Sequence, residues 1–153
     1  MAAPHERDGA SSPRVRPVSA DDLRSLEPLD GAYAARLGLE PYVTLGSLHF
    51  FGRTGHSFVA EAGGNALGFA LAHSTWSGGD PVLRLERLVG TAEAANALAA
   101  AVVKSAYDAG VYRLVADVPE GDATGRAAVE AAGFAQSPTV SYARRLGSAG
   151  KAA

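Results

Sequence analysis

The 153-residue chain has no cysteine. Disulfides, thiolate zinc sites, iron–sulfur clusters and cysteine nucleophiles are therefore excluded. It also lacks an excess of basic charge. Fourteen Lys and Arg stand against 16 Asp and Glu, for a formal net charge of -2, so no basic stripe points to nucleic acid. No apolar run is long enough to cross a bilayer. Met1 to Pro13 is polar and small, without the apolar core of a signal peptide. No internal repeat is visible. No Gly-x-Gly-x-x-Gly follows a strand and there is no P-loop lysine, so the flavin and nucleotide fingerprints are missing. His49, His56 and His73 show no ligand spacing, and no metal site is expected. These absences predict a soluble cytoplasmic protein with no metal, no nucleic-acid partner and no membrane partner.

What is present fits one domain with a sizeable core. Residues 1–13 read as a disordered lead-in, 14–146 as the domain and 147–153 as a flexible tail. The domain is organised around Val82 to Pro119. Val82 to Val89 reads as a strand and Gly90-Thr91 breaks it. Ala92 to Ala109 has no glycine, no proline and many strong helix formers. Gly110 sits where a left-handed residue ends a helix. Val111 to Val118 is a second β-rich run, stopped by Pro119. Two strands joined by such a helix form a βαβ crossover, which makes them parallel.

The rest of the chain surrounds that unit. Arg14 to Val18 predicts a short strand. Ser19 is placed to cap a helix, with Asp22 as the capping-box acid. Leu23 and Leu26 give a short helical face that Pro28 ends or kinks. Tyr33 to Leu37 suggests a helical turn or two stopped at Gly38, and Leu45 to Phe51 a short helix. Ser57–Ala62 and Ala66–Trp76 read as strands joined by a hairpin over Gly63-Gly64-Asn65. Ser77 to Pro81 turns the chain into Val82. Asp122 is placed to cap a helix running to Ala132 and ending at Gly133. Thr139 to Leu146 alternates well enough for a last, antiparallel strand. The expected class is α/β: a mixed central sheet in the order β-α-α-β-β-β-α-β-α-β, with helices on both faces.

That order resembles the GNAT superfamily of acetyl-CoA-dependent N-acetyltransferases, from about Val15 to Leu146. Val15-Arg16-Pro17 with Asp22-Leu23 resembles the family's opening strand and helix. Phe58 to Gly68 resembles its second and third strands. Gly110 with Leu114 and Val118 resembles the helix end and fifth strand, and Gly133-Phe134 the pair that follows the fourth helix. The family's Gln/Arg-x-x-Gly-x-Gly/Ala signature maps onto Gly90-Thr91-Ala92-Glu93-Ala94-Ala95. Ala95 fits, but Gly90 replaces the first residue and Glu93 the middle glycine. A carboxylate about 5 Å from a phosphate charge costs ~3 kcal/mol at an effective dielectric near 20, which weakens binding ~100-fold. Alternatively, Glu93 simply favours the helix dipole, by ~0.3–1 kcal/mol.

The resemblance implies acetyl-CoA as co-substrate. It implies a cofactor site at Leu88, Val89, Gly90, Ala94, Ala95 and Asp122, and a small-molecule or protein amine as acceptor. Acetyl transfer needs a base for the ammonium proton and an acid for the leaving thiolate. Glu86 falls where the family places its base; it also suits a surface carboxylate paired across the sheet. The family's acidic tyrosine is replaced by Val129. Tyr142 is a distant substitute, and it also reads as a strand aromatic with its hydroxyl in water. Asp122 equally suits a helix cap. Phe50-Phe51 lines an acceptor pocket or fills the core. Two functions follow: a divergent GNAT-like N-acyltransferase, or a non-catalytic binding or interaction module of the same fold, with a homodimer possible in either.

Overall fold

The computed structural model describes residues 12–147. The expected disordered ends fall outside the described residues, apart from Ser12, Pro13 and Gly147. The elements are β1 (Arg14–Pro17), α1 (Leu23–Leu37), α2 (Leu45–Phe51), β2 (Phe58–Ala62), β3 (Asn65–Ser77), β4 (Asp80–Gly90), α3 (Ala92–Asp108), β5 (Leu114–Ala116) and α4 (Ala123–Ala131). The strands lie in the order β1-β2-β3-β4-β5 in one sheet. All neighbours are antiparallel except β4 and β5, which are parallel. The crossover expected from Val82 to Pro119 is therefore present.

Two apolar layers flank the sheet. On one face Ala60, Ala70, Ala72, Leu83, Leu85 and Leu88 meet α3 and α4. The buried residues of α3 are Ala94, Ala95, Leu98, Ala99, Val102 and Ala106. Their spacing of three and four is the helical period, and the alanines let the helix axis lie close to the strands. On the other face Val59, Phe69, Leu71 and Val89 meet α1 and α2 through Leu26, Tyr33, Leu48 and Phe51. Gly68 and Gly90 face each other where β3 crosses the end of β4. A Cβ on Gly68 would lie 2.3 Å from the Val89 carbonyl oxygen, so only glycine permits that approach.

Two expectations need correction. Pro28 does not end α1, which runs through it to its cap at Gly38, whose φ is +67°. Pro28 and Arg24 are both exposed, so water can take the Arg24 carbonyl that a residue-28 amide would otherwise serve. The last strand is absent: no strand follows α4 among the described residues, and positions 139–147 are exposed. Alternation pays off only when a neighbour covers one side, and none does here.

One buried group ties stability to pH. His56 is buried, and its Nδ1 lies 2.9 Å from Ser105 Oγ. Ser105 donates its own proton to the Val102 carbonyl, so Nδ1 is the donor to Ser105. Burial lowers the His56 pKa below its ordinary value. The unfolded chain then binds the proton more readily. The contribution is complete above the unfolded value of about 6.5 and is lost as pH falls through the folded value. The melting temperature should drop between pH 7 and pH 5, and His56→Asn should flatten that part of the profile. An unchanged slope in the variant would remove His56 from the account.

Candidate active site

The register of β3 on β4 slips once. Leu71 faces Arg87 and Ala72 faces Leu85, so Glu86 is the extra residue of a β-bulge. The bulge turns both Glu86 and Arg87 toward the α1 and α2 face. Glu86 Oε1 lies 2.8 Å from His73 Nε2, and both side chains are about three-quarters buried, at 24% and 21% exposure. The His73 ring stands 5.7 Å from Phe50 and 6.0 Å from Phe51. Phe51 is buried and belongs to the core, as one of the two expected roles had it, whereas Phe50 is exposed. Arg84 does not pair with Glu86; it reaches Asp117 at 2.9 Å.

Beneath this pair lies a buried polar network. Asp30 on α1 accepts from Arg87 Nε at 2.9 Å and from the amides of Tyr42 and Val43 at 2.6 and 2.8 Å. Arg87 also donates to the Glu40 carbonyl at 3.1 Å. Its guanidinium lies 4.9 Å from the Tyr33 ring centre and 5.5 Å from that of Tyr42. The Tyr42 hydroxyl is pushed above its usual range, first by burial and then by the Glu86 charge. Tyr33 is raised by burial and by its bond to Asp122.

β4 and β5 pair over only three residues, Leu83–Leu85 with Leu114–Ala116. The last link is the Asp117 amide to the Leu85 carbonyl at 3.0 Å. Past it, β4 runs on to Gly90 paired with β3 only, while β5 ends at Ala116. The first turn of α3 follows the end of β4 directly, after Thr91. Thr91 caps it, with Oγ1 accepting from the Ala94 amide at 3.2 Å. The Ala95 amide is bonded to the Thr91 carbonyl at 2.8 Å. Among the described residues no acceptor meets the amides of Ala92 and Glu93, and both residues are exposed.

The other residues singled out in the sequence are scattered. Leu88 and Val89 are buried in opposite apolar layers, and Ala94 and Ala95 are buried under α3. Gly90 is half-exposed at the crossing with Gly68. Asp122 caps α4 through the Gly125 amide at 3.0 Å, and its other oxygen accepts from the Tyr33 hydroxyl at 2.8 Å. Val129 packs into the core. Tyr142 stands 93% exposed on the segment that forms no strand. Asp30, Arg87, Tyr33 and Tyr42 escaped the reading of the sequence. The one available signal was Asp30, an acid among apolar helix positions. No group of metal-binding side chains occurs among the described residues, and no helix there is long and apolar enough to cross a membrane.

A family model described as "Protein of unknown function (DUF1999)" matches residues 38–151. No curated protein matches the chain. Among solved structures, wild-type TTHA1254 from Thermus thermophilus is 43% identical, with 88% of this chain and 98% of that one covered and a TM-score of 0.76. A ribosomal-protein-alanine N-acetyltransferase from Brucella melitensis biovar Abortus 2308 is 19% identical over 88% of this chain and 99% of its own, with a TM-score of 0.68. An aminoglycoside N-acetyltransferase, AAC(6')-Iy, solved in complex with CoA, is 23% identical over 87% of this chain and 94% of its own, with a TM-score of 0.63. The last two matches show the fold: a mixed α/β sheet of the GNAT acetyltransferase type.

Proposed function

Because this chain belongs to the DUF1999 family of proteins of unknown function and carries a GNAT-type fold, we propose that it is a divergent N-acyltransferase. It would move an acetyl group from acetyl-CoA to the amine of a small molecule or protein. The observation that carries this reading is that β4 has no β5 partner beyond Leu85, which leaves one edge of its last five residues unpaired. An unpaired strand edge offers backbone groups to the amide-bearing pantetheine arm, as it does to any extended peptide. The free amides of Ala92 and Glu93 at the head of α3 face the place where the phosphates would lie. CoA binding by AAC(6')-Iy supports the same co-substrate.

In this scheme Glu86 takes the proton of the acceptor ammonium, and His73 orients it through the 2.8 Å bond. The amine nitrogen then bonds to the acyl carbon, the carbon–sulfur bond breaks, and the nitrogen sheds its second proton. The leaving thiolate, with the solution pKa of an alkyl thiol, about 8.5, takes that proton, directly or relayed by water. No side-chain acid is required where Val129 stands.

Acetyl-CoA at about 100 times its dissociation constant should add ~2.7 kcal/mol of stability, which a thermal-shift titration reads. Glu93→Gly should enlarge that shift, because it removes a negative charge next to the free amides. A smaller shift in the variant would mean that the phosphates lie elsewhere.

One observation favours the second reading, a binding module that no longer takes coenzyme. The Tyr33–Asp122 bond ties α1 to the cap of α4, the helix that follows β5, and Leu37 lies against Gly121 beside it. If neither the wild type nor Tyr33→Phe shifts at millimolar acetyl-CoA, the acyltransferase reading fails and the module stands.

A further inference from the structure

We infer that the acceptor is a small primary monoamine carrying an aromatic ring, with Glu86 taking its ammonium group and Phe50 its ring. This inference rests on the acyltransferase reading and narrows its substrate. Three carboxylates gather on the α1 and α2 side of the sheet around His73: Asp30, Asp117 and Glu86. Asp30 meets Arg87 at 2.8 Å, and Asp117 meets Arg84 at 2.9 Å. Glu86 meets no Lys or Arg among the described residues; its hydrogen-bond partner there is His73, through Oε1. No buried side-chain oxygen among the described residues lacks a partner, so Glu86 Oε2 is open to solvent. The site thus offers one carboxylate that no guanidinium already answers, which suits an acceptor of single positive charge. A polyamine finds no second free carboxylate around the pair, so its further charges gain nothing there.

The ring's partner comes from α2. That helix starts at the Thr44 cap and buries Leu48 and Phe51, which turns Phe50 outward at 55% exposure. The Phe50 ring packs edge-on against Phe51 at 4.9 Å and against His73 at 5.7 Å. Those contacts hold it in place and leave half of it in water. A held, half-exposed ring offers a ligand ring both apolar area and an aromatic partner. His73 touches both halves of the site, since its Nε2 lies 2.8 Å from Glu86 Oε1. The amine and the ring of the acceptor therefore sit about an imidazole apart. A short carbon chain must join them, as in a 2-arylethylamine; an aniline, with its nitrogen on the ring, is too short.

A single exposed aromatic is ordinary on a protein surface. Tyr107 and Tyr112 are more exposed than Phe50, at 71% and 77%, and they pack on each other at 6.1 Å. What sets Phe50 apart is its contact with His73 and, through that ring, with a carboxylate that lacks a fixed cation.

Acetylation of 2-phenylethylamine, propylamine and spermidine by the full chain tests this. The kcat/KM should favour 2-phenylethylamine over each of the others by about tenfold or more, the order set by burying part of an aromatic ring. Phe50→Ala should erase the ratio against propylamine, whereas Tyr107→Ala, on α3 across the sheet, should keep it. No preference against either competing amine overturns the proposal, as does a ratio that survives Phe50→Ala. If no amine is acetylated, the acyltransferase reading fails and the monoamine site is judged by binding alone. In an NMR titration without coenzyme, 2-phenylethylamine should then shift the amides of Phe50, His73 and Glu86, with an affinity about tenfold above that of propylamine. Unmoved amides, or equal affinities, overturn the site as well.

Discussion

Asp30→Ala is expected to lower the unfolding free energy by about 3–5 kcal/mol, because it strands a buried charge. Asp30 is 1% exposed and holds Arg87 and two backbone amides at once. Its loss leaves a guanidinium under the sheet with only the Glu40 carbonyl and two aromatic faces. The melting temperature should fall by on the order of 10 °C for a domain of this size. The double variant Asp30→Ala with Arg87→Met should recover much of that loss, since removing both charges is far less costly than removing one. Recovery should be incomplete, because the Tyr42 and Val43 amides stay unpaired. Thermal and denaturant unfolding of the wild type and the two variants measure this. A double variant no more stable than Asp30→Ala would show that the ion pair is not the source of the effect.

Glu86→Gln should slow acetyl transfer by ~10²–10⁴-fold while leaving stability almost unchanged. The amide keeps the shape and still has an oxygen to accept from His73. It cannot take a proton. The deficit should shrink as pH rises, because more of the acceptor amine is already neutral in solution. Steady-state rates from pH 6 to pH 10 on a general primary amine would show this. A rate within a few-fold of the wild type across that range would remove Glu86 from the chemistry and leave it as a surface partner of His73.

Much of the fold was legible because it is written locally. The helix over Ala92 to Asp108 follows from composition and from Gly110. The turns at Gly63-Gly64 and at Gly78 follow from residues that accept positive φ. Other features depended on surroundings that a sequence does not show. Pro28 stays helical because the carbonyl it leaves unpaired faces water. Thr139 to Leu146 has the pattern of a strand, but a pattern does not supply a neighbour. The site was less legible than the fold. Glu86 was singled out by position, whereas its pairing with His73 is set by a bulge, and bulges have no simple sequence signature. Asp30 and Arg87 meet across 57 positions of separation, so neither residue announces the other.

The sheet divides the molecule by kind of matter. Under α3 and α4 it is packed with small aliphatic groups and carries no buried ion pair among the described residues. Under α1 and α2 it holds Asp30, Arg87, the tyrosines, and the Glu86–His73 pair. The strands thus act as a bulkhead between an aliphatic compartment and a charged, aromatic one. On the proposed acyltransferase reading, acceptor preference would be rewritten at exposed α2 positions such as His49 and Phe50, with Asp30 and the aliphatic compartment left as ballast.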